Sequence, residues 1–523
     1  MRRPQRQRVQ KRVQISHTRS YPPPVGGWNA RDALSAMKPT DAVTLENWYP
    51  TPTYVEFRGG YSSHATGMTG NGKTLAVHHD LDGTDTLWCA TSSGIYNVTS
   101  AGAVGAEALA RTNGKHQSVS FNDGTNSWLI LVNGTDDPAY YDGTTWTAVD
   151  ELTSPALTGY TGNAVEQFVS VNVFKGRLFF IPINSLSFWY LSAGVAGGAL
   201  TEFSLGGEAK RGGYLMAMAT WTRDAGDGMD DLAVFITSEG EAIVYQGNNP
   251  SSSAAWAKVG TFNIGRPIGR RCIVQYAGDC VIITEDGVYP LSALLQAGEA
   301  KRDKFAFSFK IENAFTDSAR AYQGNFGWEA IVYPAHNALL VNVPLSEDGT
   351  HHQYVMNTIT NAWCKFTGWD AETFAVLGSK LYFADATAVY QGWNTTADNG
   401  TNIVFYGKQA FQDFGIASNK SVKLFMPILS VNGNVAYAAG VDVDFEDDEI
   451  TTTVSYSVAE SALWDTAVWD AGLWRSGQEI VKQWSSPSEW TGRWLSGKLK
   501  IVSTDLVCQW MGSTMIFEDG GPL

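Results

Sequence analysis

A chain of 523 residues with 44% hydrophobic content is too apolar for disorder and long enough for more than one core. No run approaches the roughly eighteen apolar residues of a membrane span, and the first residues lack the apolar stretch of a signal peptide. The net charge of −15 is uneven: residues 1–20 carry seven cations and no acid, which leaves −22 on the rest, a balance that argues against tight wrapping of nucleic acid. An acidic body suits instead a surface past which DNA slides without sticking.

The seven cations are Arg2, Arg3, Arg6, Arg8, Lys11, Arg12 and Arg19, a polycationic start suited to docking on an acidic partner. Tyr21-Pro22-Pro23-Pro24-Val25-Gly26-Gly27 then reads as a stiff, extended linker. Residues 28–60 read as an arm with at most one short helix, Thr40 to Trp48. The whole segment 1–60 is expected to make subunit or partner contacts and to be poorly ordered in an isolated monomer. Trp28 and Trp48 are its candidate contact residues.

From about residue 61 to 415 a hairpin recurs. Each unit is an apolar run, a tight polar turn and a second apolar run ending near a tyrosine, as in Leu87–Thr91, Ser92-Ser93-Gly94 and Ile95–Val98. The markers are Tyr96, Tyr141, Tyr190, Tyr245, Tyr289, Leu340 and Tyr390, at steps of 44 to 55 residues. Such periods belong to propeller blades, since a lone hairpin cannot bury its apolar face and must pack on neighbours. The expected fold is mainly β: a β-propeller-like core of about six to eight hairpin blades, with an extended N-terminal arm and an additional C-terminal β domain. Glu299 to Tyr322 is the best helical candidate, because Phe307, Ile311, Phe315 and Ala319 recur at four-residue steps.

Residues 416–523 differ in character. The acidic stretch Asp442 to Glu449 reads as a solvated hairpin, without the ligand spacing of a calcium loop. Seven of the nineteen tryptophans follow within 47 residues. Trp464, Trp469 and Trp474 are five apart, a step of neither helix nor strand, and read as turns supported by the Asp after Trp464 and after Trp469. Large aromatics there suit packing or a subunit interface, or alternatively a glycan platform.

Several motifs are weighed and set aside. Gly67-Met68-Thr69-Gly70-Asn71-Gly72-Lys73-Thr74 matches the P-loop pattern, but Leu75 to Gly83 reads as a strand and turn rather than the helix that would hold phosphate. His78-His79 and His351-His352 put adjacent side chains on opposite strand faces, so neither pair supplies two ligands to one ion. The five cysteines are dispersed and lie mostly in apolar runs, as buried reduced thiols do. No nucleophile with a local base stands out, so no catalytic residue, cofactor or metal is assigned.

The segment Gly26-Gly27-Trp28-Asn29-Ala30-Arg31-Asp32-Ala33-Leu34, with Lys38-Pro39, Leu45-Glu46-Asn47-Trp48-Tyr49-Pro50 and Arg58-Gly59-Gly60-Tyr61, resembles the N-terminal segment of structural tail proteins of tailed bacteriophages. Ala338 to Pro344, Gln353 to Thr358 with Ala362-Trp363, and the Trp-Asp run at 464–474 look like the same class. The nearest class is the tail nozzle, or tail tubular protein B, of short-tailed phages. That resemblance implies a non-enzymatic virion component, assembled in the host cytoplasm as a hexameric ring through which double-stranded DNA passes. It also implies an adaptor as partner, with tail fibres or tailspikes, a needle or plug, and the host envelope as further contacts. The basic extension of twenty residues departs from the pattern. The alternative is a receptor- or glycan-binding virion protein using the Trp-rich C-terminal region.

Overall fold

Tyr96, Tyr141, Tyr190, Tyr245, Tyr289 and Tyr390 each fall on the third strand of a separate antiparallel meander in the computed structural model of the chain. The structure describes residues 16–162, 164–224, 229–296, 304–450, 453–457, 478–486 and 491–521. It divides into two compact units, residues 58–403 and residues 1–57 with 404–523.

The 58–403 unit is a six-blade β-propeller with one further sheet in its sequence. Blade 1 comprises Gly72–His79, Asp85–Thr91, Gly94–Asn97 and Leu109–Ala110. Blade 2 comprises Gln117–Asn122, Ser127–Val132, Ala139–Tyr141 and Trp146–Ala148. Blade 3 runs from Phe168–Phe174 to Thr201–Ser204, and blade 4 from Leu215–Asp224 to Trp256–Asn263. Blade 5 has three strands, Ile273–Tyr276, Asp279–Thr284 and Gly287–Pro290. Blade 6 closes the ring: Thr373–Leu377, Lys380–Ala384 and Ala388–Thr395 come from the far end of the unit, and Gly60–Thr66 from its start pairs antiparallel with Ala388–Thr395. Closure by a strand from the opposite end leaves no free terminal blade edge there.

The apolar cores lie between blades. Trp88, Leu131, Tyr141 and Trp146 join blades 1 and 2. Ile130, Tyr140, Phe168 and Phe180 join blades 2 and 3, and Phe179, Phe188, Phe235 and Trp256 join blades 3 and 4. Leu75, Cys89, Tyr96, Tyr382 and Val389 join blade 6 back to blade 1. A hairpin that is half-apolar alone is thus fully covered by its two neighbours.

The further sheet, Glu329–Tyr333, Ala338–Pro344, His351–Asn357 and Ala362–Thr367, falls between blades 5 and 6. Its tyrosine on the third strand is Tyr354; the Leu340 marker lies on the second. It is preceded by the helix Glu312–Tyr322, shorter than the expected 299–322 span. Residues 299–303 of that span lie outside the described residues. Phe315 and Ala319 are buried, and Ser318 Oγ bonds Tyr354 Oη at 2.7 Å, so the helix packs on this sheet.

The second unit is built from both ends of the chain. One sheet contains Trp48–Pro50, Val55–Phe57, Cys508–Gly521, Asn419–Val431 and Glu479–Lys482, with Ser16–Tyr21 paired to Cys508–Gly521. The other contains Asp41–Glu46, Ile403–Gln409, Leu495–Ser503, Val435–Val443 and Thr453–Tyr456, with Gly27–Trp28 parallel to Asp41-Ala42. A Cβ at Gly407 would meet the Trp510 ring at 2.7 Å and one at Gly497 the Phe425 ring at 2.6 Å, so only glycine lets these faces approach. The expected Thr40–Trp48 helix is therefore corrected to strand: Val43 and Thr44 are β-branched, and the segment is held between partners. Residues 16–57 supply five strands to this unit.

Candidate functional site

The P-loop lookalike ends in a strand. Gly72–His79 is the first strand of blade 1, and Lys73 and Thr74 are buried. No helix N-terminus follows Lys73, and its ammonium is committed elsewhere: Nζ pairs with Asp348 Oδ1 and, at 2.9 Å, with Glu372 Oε2. His351 Nε2 stands 3.8 Å from the same Glu372 oxygen, and burial raises the Glu372 carboxyl above its ordinary range.

Beside it lies Arg271, just before the first strand of blade 5. Its Nη1 donates to Glu329 Oε2 at 2.8 Å and to Thr373 Oγ1 at 3.0 Å. Its Nη2 donates to Thr74 Oγ1 at 2.7 Å, His116 O at 2.9 Å and Lys73 O at 3.1 Å. Glu329 Oε1 in turn accepts from the Phe374 backbone N–H at 3.0 Å. One planar guanidinium thus ties together blade 1, the segment entering blade 2, the further sheet and blade 6, which suits its rigid fork of five donors. The Phe326 ring lies under three cations, with Arg271, Lys115 and Lys73 at 4.9, 5.0 and 5.6 Å from its centroid.

These groups stand at the strand-start end of a cavity of about 400 Å³ on the propeller axis. Its wall is supplied by the first strands of the blades, through Gln117, Ser118, Ser170, Asn172, Thr220 and Gln275 among others. A second cavity of about 430 Å³, bounded by the 323–328 loop, lies beyond; Gln117, Arg270 and Arg271 line both. Cys280 also lines the axial cavity, but burial pushes its thiol up to about 12, which keeps it protonated and poorly nucleophilic. The arrangement holds and orients polar groups.

His116 is buried at the same end, and its Nδ1 has no partner among the described residues. Burial lowers its pKa to about 4, and burial with nearby Lys365 and His351 lowers that of His352 to about 3. An unfolded imidazole titrates near about 6.5, so both rings are neutral in the fold where the unfolded chain would take up protons. Their contribution to stability is present above about pH 6.5 and is lost as pH falls towards 4, at about 1.4 kcal/mol per pH unit for each ring. Urea midpoints should therefore fall between pH 7 and pH 4.5, and His116→Gln should flatten part of that slope. Equal midpoints at both pH values would contradict this.

Trp28 is half-buried on its short strand, and Trp48 is fully buried, packed against Phe57, Phe405 and Trp510 in the core of its own unit. Arg2, Arg3, Arg6, Arg8, Lys11 and Arg12 lie outside the described residues, as do Trp464, Trp469 and Trp474. His78 Nε2 is 3.0 Å from Ser127 O, and among the described residues no group of three His, Cys, Asp or Glu is placed to hold a metal ion. The 442–449 stretch is solvated only in part: 444–447 and Glu449 are exposed, whereas Asp442 is buried near the end of Val435–Val443 and paired with Lys408 and Lys498. The sequence marked Lys73 only through the rejected P-loop match and did not mark Arg270, Arg271, Glu329 or Glu372; a further local signal was the paired arginine just ahead of an apolar strand.

No family model matches the chain, and no curated protein matches it. In three dimensions it is similar to Raptor from Chaetomium thermophilum at 12% identity and a TM-score of 0.38, over 65% of this chain and 29% of that one. It is similar to the Pan2 WD40 domain from Neurospora crassa at 9% identity and a TM-score of 0.37, over 64% of this chain and 95% of that one. A glycoside hydrolase family 43 arabinoxylan arabinofuranohydrolase from Bacillus subtilis is matched at 10% identity and a TM-score of 0.24, over 88% of this chain and 96% of that one. The chain thus spans less than a third of the Raptor chain, and at these scores none of the three bears on activity.

Proposed function

We propose that the chain is a structural, non-enzymatic subunit of a phage tail, a nozzle protein whose copies form a ring around the path of the genome. The observation that carries this reading is the pairing of a closed propeller with a second β unit made from both chain ends. The propeller has its ring of blades sealed, which suits a wall under load. The Gly26–Tyr61 segment that resembles tail proteins supplies strands to the second unit and the first two residues of the closing strand of the propeller. An acidic body disfavours adsorption of passing DNA. Its partners on this reading are further copies of itself, an adaptor and fibres or tailspikes.

Negative-stain imaging and sedimentation velocity of the purified full chain test this. A ring with a central hole, of about six copies by the tail-protein resemblance, is expected. A compact monomer at all concentrations, together with binding of the chain to host surface polysaccharide, would replace the reading with an adhesive one.

A further inference from the structure

Four cations gather at the strand-start end of the axial cavity, and three have carboxylates. Lys73 has Asp348 and Glu372, Lys115 has Glu347 at 2.6 Å, and Arg271 has Glu329. Arg270 differs. Its Nη1 reaches only the Leu215 and Met216 carbonyls, at 3.4 and 3.2 Å, and its guanidinium lies 5.7 Å from the Tyr214 ring centroid. Among the described residues it has no ion pair, and Nε and Nη2 have no acceptor. Burial nonetheless lowers its pKa, with no carboxylate to offset the effect.

A half-buried guanidinium facing two carbonyl oxygens and a tyrosine ring has no anionic partner, and its free donors match an oxyanion in a planar, two-point contact. Arg270 lines the axial cavity together with hydroxyl and amide side chains, Ser118, Ser170, Asn172, Thr220 and Gln275. Asn172, Thr220 and Gln275 donate to the Met218, Val173 and Thr220 carbonyls, which leaves the Ser118 and Ser170 hydroxyls and the Thr220 and Gln275 oxygens to meet the hydroxyls of a small polyol. We propose that the axial cavity binds a small polyhydroxylated anion of the sugar-phosphate class, with the anionic group on Arg270 and the hydroxyls on the cavity wall.

The test is calorimetric titration of the full chain with glucose 6-phosphate, inorganic phosphate and glucose, each up to about 10 mM. Glucose 6-phosphate should bind more tightly than either fragment and should raise the melting temperature. Arg270→Gln should weaken it roughly 10- to 100-fold, as expected for loss of a charge-assisted contact. Arg270→Lys should retain part of the affinity. Gln275→Leu, which leaves the guanidinium in place, should weaken glucose 6-phosphate but not inorganic phosphate. Absence of binding by every probe to the wild-type chain would overturn the proposal, as would identical titrations of wild type and of a folded Arg270→Gln. Ring formation is read separately by sedimentation, so failure here leaves the structural assignment standing.

Discussion

Arg58→Met should cost the propeller about 3–5 kcal/mol in urea denaturation, as removal of one partner from a buried ion pair does. Arg58 precedes the closing strand Gly60–Thr66, and Asp398 follows the strand Ala388–Thr395 that receives it. Nη1 and Nη2 meet Oδ1 and Oδ2 of Asp398 at 2.8 and 2.6 Å, in the two-point geometry that only arginine makes with a carboxylate. The side chains are 0% and 8% exposed. Further donation goes to Gly59 O at 2.9 Å and Thr367 O at 2.6 Å, and the guanidinium lies 5.3 Å from the Trp369 centroid. The clamp therefore fixes the two ends of the ring at the point where closure costs chain entropy. In Arg58→Met the Asp398 carboxylate stays buried without its cation. The double variant Arg58→Met with Asp398→Leu should recover most of the loss, since it removes the stranded charge. A loss under about 1 kcal/mol in the single variant, with no recovery in the double, would show that the blades close without the clamp.

The propeller was legible because its signal is local. A turn between two apolar runs survives in sequence whatever surrounds it, and the six tyrosine markers sit at one structural position, the third strand. The Leu340 marker slipped to the second strand for a physical reason. Ala338–Pro344 and His351–Asn357 are buried at every position, so the alternation that distinguishes one strand from the next is missing. The Thr40–Trp48 segment misled in another way. It has too few apolar residues to declare itself as strand, and its partners, Gly27–Trp28 and Ile403–Gln409, lie 12 residues before it and some 360 after it.

The axial site was illegible because ring closure assembles it. Lys73 and Glu372 are 299 positions apart and Arg271 lies 198 from Lys73, yet all three meet where the first strands begin. Nothing in the neighbourhood of any one residue names the others. What the sequence offered instead was the glycine-rich approach to Lys73, whose letters match a phosphate loop. The difference lies in the element that Lys73 opens: a β-strand turns its ammonium into an internal counter-ion, whereas a helix would have presented N–H groups to a phosphate.

Asp442→Asn should be the most damaging single change in the second unit, at about 3–5 kcal/mol. Asp442 stands between two buried lysines on neighbouring strands. Its Oδ2 is 2.7 Å from Lys408 Nζ, and its Oδ1 pairs with Lys498 Nζ. The three side chains are 0%, 4% and 2% exposed, so the carboxylate is the interior counter-charge for two ammonium groups. Lys408 also reaches Asp447 at 3.0 Å and Glu446 O at 3.1 Å, while Lys498 donates to Asp448 O. Asparagine keeps the shape and an acceptor but leaves Lys498 with a carbonyl alone. Asp447 is the contrast, because its side chain is 71% exposed and water can replace it. Asp447→Asn should cost under about 1 kcal/mol. Adding Lys498→Met to Asp442→Asn should restore part of the stability by removing the uncompensated ammonium. Equal losses for Asp442→Asn and Asp447→Asn would mean that the triad is solvated rather than interior, and that the 442–449 stretch behaves as the open acidic hairpin its composition suggests.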